Sequence, residues 1–509
     1  MIQKINFSGY QNDIFDFVLN GKGNAVVSAV AGSGKTTTIV HAASIIPSDK
    51  KVLFLAFNKS IANELSDRLK NNKNVECKTL HAHGLSALKS ATKFLKVLNC
   101  NRFLKTVREQ SVVFSKILTV DSKSCLIYSY NANTLKLLDL CRINLISAND
   151  KQAIKDIAEN YSIELVADEV DFVSYLLTDC YNLKDSKYID FTDMLTLPVQ
   201  PEFKKYIKKY DYIFIDECQD LSKAQRELML NSLKRGGRFI AVGDKKQAIN
   251  GFAGASCDSF DLIANLPNTK VFPLSVNYRC GKNIIDSIKD IVPNIEPFEK
   301  AIDGEVNSVY NFDNLKKGDM ILCRITAPLI GLCFDLWKKN IPAIIKGTDI
   351  CQNLLNLVYK MKATSVSDLL IKLDNEKENI VNELKKNGVK NPYENIKYIN
   401  FVDKANCIES VAEGANTNDL EILVKTLTDM FSDITPNNSV CLSTVHKAKG
   451  LESDNVWIIL PNKLPLSRPN QKDWELVQEQ NLKYVAYTRA KKVLNLVYLN
   501  EKELRKIWK

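Results

Sequence analysis

The segment Ala29-Val30-Ala31-Gly32-Ser33-Gly34-Lys35-Thr36 constrains this chain more than any other feature. It follows a short apolar run, Ala25 to Ala29, and leads into a helical pattern from Lys35 to Ile45. Gly32 and Gly34 let backbone N–H groups turn inward around phosphate oxygens. Lys35 is placed to reach the β and γ phosphates, and the Thr36 hydroxyl to ligate Mg²⁺. The helix that begins here adds its N-terminal partial positive charge. This is a P-loop with alanine at the first glycine position, and its strand–turn–helix context is the one such a loop needs. Ser33 and Thr37 complete the expected phosphate-binding set.

A nucleoside triphosphatase also needs acids at the end of a neighbouring strand. The run Asp211-Tyr212-Ile213-Phe214-Ile215 leads straight into Asp216-Glu217-Cys218-Gln219-Asp220. Asp216 is expected to hold Mg²⁺ through water, and Glu217 to accept the proton of the attacking water. ATP and Mg²⁺ are therefore the expected ligands.

Strand-like runs alternate with helical patterns around both motifs, which predicts an α/β fold with parallel sheets. Sheet-like runs return at Arg238–Val242, Met320–Cys323, Val440–Ser443 and Val456–Leu460. Two stretches rich in Lys and Leu, or in Lys, Glu and Asn, read as mainly helical. The expected plan is two α/β cores, each with a mainly helical insertion. Residues 1–84 and 186–270 would form the first core and 85–185 its helical insertion. Residues 271–348 and 438–509 would form the second core, with 349–437 as a small second insertion.

Composition narrows the setting. The 509 residues carry 69 Lys plus Arg against 59 Asp plus Glu, a net charge of +10 that permits a polyanionic partner without requiring one. No apolar run approaches the ~20 residues of a membrane span, and Met1–Tyr10 lacks the apolar core of a secretory signal. Thirteen scattered cysteines without a CxxC pair fit reduced thiols rather than a metal framework. The expectation is a cytoplasmic, monomeric chain, nucleoid-associated or at the site of viral replication if viral, with a nuclear setting left open, no membrane partner and protein partners unassigned.

Further segments, in order, resemble the UvrD/Rep family of superfamily 1A helicases. The resemblance implies a role for each. Gln11 would read the adenine edge. Gln247, in Gly243-Asp244-Lys245-Lys246-Gln247, would sense the γ-phosphate. In Asn277-Tyr278-Arg279, Tyr278 would stack on adenine and Arg279 reach the γ-phosphate. In Thr444-Val445-His446-Lys447-Ala448-Lys449-Gly450-Leu451-Glu452, Glu452 would bind the ribose, and Thr444 and His446 lie along the nucleic acid. Arg489, in Tyr487-Thr488-Arg489-Ala490, would be a second arginine finger. Arg324 also matches a family segment, to which no role is carried over. Phe57 and Asn58, Thr79 and His81, and Phe252 are the remaining expected strand contacts, although Phe57, His81 and Phe252 read also as core residues. Asp190-Phe191-Thr192-Asp193-Met194 resembles a family segment with an expected structural role.

The same resemblance implies that both cores are RecA-like, that ATP binds in a cleft between them, and that the chain is an ATP-dependent 3′→5′ helicase acting on single-stranded and forked DNA. RNA stays open as a tracking strand, because a stacked, backbone-held strand need not report its sugar. Two alternatives stay open: a translocase that strips proteins from single strands without efficient unwinding, and an ATP-gated binding module. Asn250 and Ala253 depart from the tyrosine and arginine usual in the third motif. The second insertion is smaller than the family's, and the 19 residues after Ala490 leave no room for an added nuclease. Repair, replication restart, recombination control and viral replication all use such motors, and the sequence does not choose among them.

Overall fold

The computed structural model describes residues 6–92, 95–109, 123–165, 168–181, 188–251, 254, 258–386, 389, 391–436, 438–468 and 471–499, without the side chains of 123–132 and 396. It divides into two compact units, Met1–Ser275 and Val276–Lys509.

The first unit is built on a six-stranded sheet of order β3-β2-β6-β7-β1-β8. Its strands are β1 (Asn24–Ala29), β2 (Val52–Ala56), β3 (Val75–Thr79), β6 (Tyr210–Ile215), β7 (Leu233–Gly243) and β8 (Thr269–Leu274). All its pairings are parallel. Parallel strands are covered on both faces, so they read as continuous apolar runs; β2, Val-Leu-Phe-Leu-Ala, is buried throughout. Helices α1 (Gly9–Asn20), α2 (Lys35–Ser44), α3 (Lys59–Arg68) and α4 (Leu80–Ala91) precede or follow the first three strands.

Two boundaries fall elsewhere than the sequence suggests. The expected edge at residue 84 lies inside α4, whose Leu80 and Ala87 belong to the core shared with β2 and β6. Gly84 is a packing glycine rather than a stop: a Cβ there would lie 1.8 Å from the Met194 carbonyl oxygen. The expected edge at residue 270 lies inside β8, which pairs with β1 from Thr269 to Leu274.

The helices Lys123–Ile143, Lys151–Asn160 and Glu169–Cys180 have their own core, including Phe103, Leu137, Ile154 and Val173. A buried ionic cluster ties this insertion to the chain that follows β5 (Tyr188–Ile189), the partner of β4 (Lys96–Val97). The Arg142 guanidinium donates to Asp139 (2.9 Å), to Asp190 (2.8 and 3.0 Å) and to Asp193 (2.6 Å). Arg102 closes the cluster on Asp193 at 2.8 Å. Removing one partner of a buried ionic set strands the others. Arg142→Ala is therefore expected to cost about 3–5 kcal/mol, measured as a lower urea midpoint.

The second unit carries a sheet of order β11-β16-β15-β12-β14-β13. Its strands are β11 (Glu305–Val309), β12 (Met320–Cys323), β13 (Ala343–Ile345), β14 (Val440–Thr444), β15 (Ser453–Ile459) and β16 (Ala490–Val497), again all parallel. A small pair, β9 (Val276–Asn277) and β10 (Glu296–Pro297), stands apart. The region expected as a second insertion forms helices Thr348–Lys360, Val366–Lys386, Ile396–Ala415 and Leu420–Met430. Leu354, Leu369, Val411 and Leu427 share one apolar core with Ile321, Val440 and Trp457 of the sheet. These helices thereby contribute to the core of the second unit.

Candidate active site and nucleic-acid contacts

In the first unit the chemistry collects at the carboxyl ends of three adjacent strands, β6, β7 and β1. The loop after β1 turns through Gly32 and Gly34, both at positive φ (65° and 78°), and Gly34 caps α2. Ser33 Oγ donates to the Val30 carbonyl at 2.8 Å, bracing the loop from inside. Lys35 Nζ lies 3.4 Å from Glu217 Oε1, and Thr36 Oγ1 donates to Asp216 Oδ2 at 3.2 Å. Burial pulls the Lys35 pKa down, but Glu217, Asp244 and Asp216 more than offset it, so the ammonium is held firmly charged. Glu217 takes a left-handed backbone (φ 54°), and its N–H donates to the Asp216 carboxylate at 2.9 Å.

Burial, and then the neighbouring Glu217 carboxylate, push Asp216 up to about 6, against the pull of Lys35. An acid whose folded-state pKa lies above its unfolded value binds its proton more tightly when folded. Stability therefore falls as pH rises from about 4 to about 6, and the penalty is full above that window. Asp216→Asn is expected to raise the melting temperature of the ligand-free chain at pH 8, and by less at pH 5. A scanning thermal melt at both pH values measures it.

The adenine-side candidate Gln11 sits in a capping box with Ser8 at the start of α1, and its Nε2 donates to Thr38 Oγ1 at 2.8 Å. It is thereby tied to the helix that opens with the phosphate loop. Thr37 Oγ1 accepts from Arg68 at 3.5 Å. After β7, Gln247 Nε2 donates to Asp244 Oδ2 at 2.9 Å in a 3₁₀ turn.

The far end of the same sheet edge carries the expected strand contacts. β2 and β3 are neighbours, with Ala56 opposite Thr79, so Phe57-Asn58 and Thr79–His81 emerge side by side. Phe57 is exposed. Asn58 and Thr79 are also helix caps, accepting from the Ile61 and Ala82 N–H groups at 2.9 and 3.1 Å. The His81 ring meets Phe191 edge-on at 6.2 Å, and burial lowers its pKa. Phe191 is exposed although its neighbours Asp190 and Asp193 are locked in the Arg142 cluster. The structural role expected for this segment fits the Asp190 and Asp193 contacts to Arg142, whereas the exposed Phe191 ring is one that sequence reasoning missed. Phe252 lies outside the described residues.

In the second unit, Tyr278 is exposed and rests at 5.0 Å against the Phe298 ring. Arg279 Nε pairs with Glu452 at 2.7 Å, and Lys491 meets the other Glu452 oxygen at 2.6 Å. Burial raises the Glu452 pKa, but Lys491 and Arg279 outweigh it and hold the carboxylate ionised. Arg489 differs from a surface finger. It is 2% exposed, and its guanidinium donates to the Val485 carbonyl (2.8 Å), the Leu451 carbonyl (3.0 Å) and Thr488 Oγ1 (3.1 Å). Thr444 ends β14 beside Cys323, and its hydroxyl accepts from the Lys447 N–H at 3.4 Å. His446 is pushed down to about 4, first by burial and then by Arg324, so it is neutral at pH 7. Arg324 itself is held on Glu479 by two guanidinium nitrogens.

Residues 11–267 match the family model of the UvrD/REP helicase N-terminal domain, and residues 337–501 that of the UvrD-like helicase C-terminal domain. The chain is 26% identical to the ATP-dependent DNA helicase Rep of Buchnera aphidicola (subsp. Schizaphis graminum) over 318 residues, 59% of this chain and 45% of that one. It is 23% identical to a probable DNA helicase II homologue of Mycoplasma genitalium, over 93% of this chain and 82% of that one. With the ATP-dependent DNA helicase PcrA of Leuconostoc citreum it shares 23% identity over 56% of this chain and 39% of that one. The chain thus spans less than half the length of the Rep and PcrA relatives that it matches. The N-terminal model alone covers half of the sequence: the chain belongs to the UvrD/Rep helicase family.

Proposed function

We propose that this chain is an ATP-driven motor that moves 3′→5′ along single-stranded DNA and separates duplex strands. The observation that carries the reading is the arrangement along one sheet edge. Lys35, Thr36, Asp216 and Glu217 meet at its β6-β7-β1 end, and Phe57, Thr79 and His81 emerge at its β3-β2 end. One rigid sheet can then report a change at the phosphate to a held strand.

In this reading Lys35 binds the β and γ phosphates, and the loop N–H groups cradle them. Thr36 and Asp216 offer a hydroxyl and a carboxylate oxygen 3.2 Å apart, hard donors suited to Mg²⁺. Bound there, the ion would neutralise charge on the phosphate oxygens. Glu217 accepts the proton of the attacking water, Gln247 senses the γ-phosphate, and Tyr278 stacks on adenine. Arg279 supplies a cation to the same phosphate, and Glu452, released from it, turns to the ribose. Phe57, His81 and the exposed Phe191 stack or flank bases, each stacked base contributing ~1–3 kcal/mol. Thr444 and His446 extend the path in the second unit.

A second reading, a translocase that strips proteins without efficient unwinding, is favoured by one observation. Among the described residues, the 349–437 helices share the second unit's core through Leu354, Leu369, Val411 and Leu427 rather than standing wholly apart as a duplex grip. Forked duplexes with a 3′ or a 5′ tail, on DNA or RNA tracking strands, decide between the two. Unwinding of the 3′-tailed DNA fork supports the helicase reading. Streptavidin displacement without strand separation supports the second. ATP binding with turnover indifferent to oligonucleotide would leave an ATP-gated binding module.

A further inference from the structure

We propose that Gln219 is a positioning residue that couples the segment after β7 to the proton acceptor Glu217, an inference that rests on the ATP-hydrolysis reading above. Its amide is 1% exposed and lies between the two strand ends. Nε2 donates to Glu217 Oε2 at 2.5 Å and, more weakly, to Asp220 Oδ2 at 3.4 Å. Oε1 accepts the Asp244 backbone N–H at 3.1 Å. Asp244 in turn accepts from the Lys246 N–H at 3.0 Å and from Gln247 Nε2 at 2.9 Å. A continuous run of hydrogen bonds therefore joins Glu217 to Gln247 through Gln219 and Asp244.

Local sequence is shaped around this run. A Cβ at Gly243 would lie 2.5 Å from Gln219 Oε1 and 2.7 Å from Cys218 Sγ, so a side chain there would push the amide off Asp244. An amide suits the task because it donates to a carboxylate without titrating. It can orient Glu217 and leave it a base. Lys35 holds the other Glu217 oxygen at 3.4 Å. When phosphate draws Lys35 away, Gln219 keeps its hold. The 3₁₀ turn Lys245–Gln247 leads directly into Asn250-Gly251 and the segment expected to meet the strand. A shift of that turn moves the Asp244 N–H, and the amide carries the shift to the carboxylate.

The test compares ATP turnover with and without a single-stranded oligonucleotide in the full chain and in two variants. Gln219→Met keeps the volume and loses the hydrogen bonds to Glu217, Asp220 and Asp244. Gln219→Glu keeps an oxygen for the Asp244 N–H and loses the donor to Glu217. Stimulated kcat is expected to fall roughly 10- to 100-fold in both, the range for a lost hydrogen bond to a charged group. KM for ATP should change little, and the ratio of stimulated to unstimulated turnover should fall. A purely structural role would scale both turnover rates alike. That result, or rates equal to the unmodified chain's, overturns the coupling alone. If the unmodified chain shows no stimulated hydrolysis, the ATPase reading fails and the coupling with it. Should Gln219→Met melt below the assay temperature, Gln219→Glu gives the same comparison with the buried polar site retained.

Discussion

Glu217→Gln should abolish most oligonucleotide-stimulated ATP hydrolysis while the chain still binds ATP. A positioned general base contributes typically 10²–10⁴-fold, and turnover is expected to fall by about that factor. The amide keeps the shape and the hydrogen-bonding reach of the carboxylate, but it cannot take the proton. The substitution also removes the charge that lies 3.4 Å from Lys35 in the ligand-free site. The lysine then has one competitor fewer for phosphate, so ATP affinity should hold or rise. Lys35→Ala gives the opposite signature: the phosphate contact itself is lost, and nucleotide binding falls with turnover. A fluorescent ATP analogue titrated against both variants, beside a phosphate-release assay, separates the two. Equal loss of binding in both would mean that Glu217 serves the site through Lys35 rather than through the proton.

The contrast between these residues and their surroundings explains what a sequence can carry. The phosphate loop, the acid pair and the third motif are contiguous, and their chemistry is fixed by spacing along the chain. Lys35, Thr36, Asp216 and Glu217 therefore come together as their motifs imply. Gln219 lies inside one of those motifs, yet its partner Asp244 is 25 residues away, and only the pairing of β6 with β7 brings them together. Arg142 stands in a helical stretch whose sequence gives it no role. Its burial follows from two aspartates about fifty residues later, which no local pattern announces. The same limit applies to domain edges. Gly84 and the start of β8 sit where composition changes, but the packing of α4 on Met194 and of β8 on β1 extends the first unit beyond both. The helices after Thr348 have an amphipathic sequence that shows a buried face without showing what covers it. Here the cover is the second unit's own sheet.

The two arginines proposed as fingers should separate in a single pair of measurements. Arg279 rests on Glu452, a partly exposed ion pair of the kind that contributes little to stability. Its removal should leave the melting temperature nearly unchanged. If it supplies charge to the transition state, turnover should fall roughly 10³–10⁵-fold. Arg489 is engaged differently, because its guanidinium satisfies the Val485 and Leu451 carbonyls and the Thr488 hydroxyl inside the second unit. Arg489→Ala takes the donor from the Leu451 carbonyl, while the Val485 carbonyl keeps Thr488 Oγ1 at 3.1 Å; each buried group left unsatisfied costs about 1–3 kcal/mol. A lowered melting temperature is therefore expected for Arg489→Ala and not for Arg279→Ala. Arg489→Lys sharpens the distinction, since an ammonium restores charge but cannot reproduce three directed bonds from a planar fork. If Arg489 acts by holding the turn between Tyr484 and Ala490, the lysine variant stays destabilised and its turnover loss tracks its melting loss. If Arg489 itself reaches phosphate, turnover collapses in the alanine variant at temperatures where that variant remains folded. The guanidinium must then give up its backbone bonds in the catalytic state. Phosphate release assayed well below the lower of the two melting temperatures tells these apart.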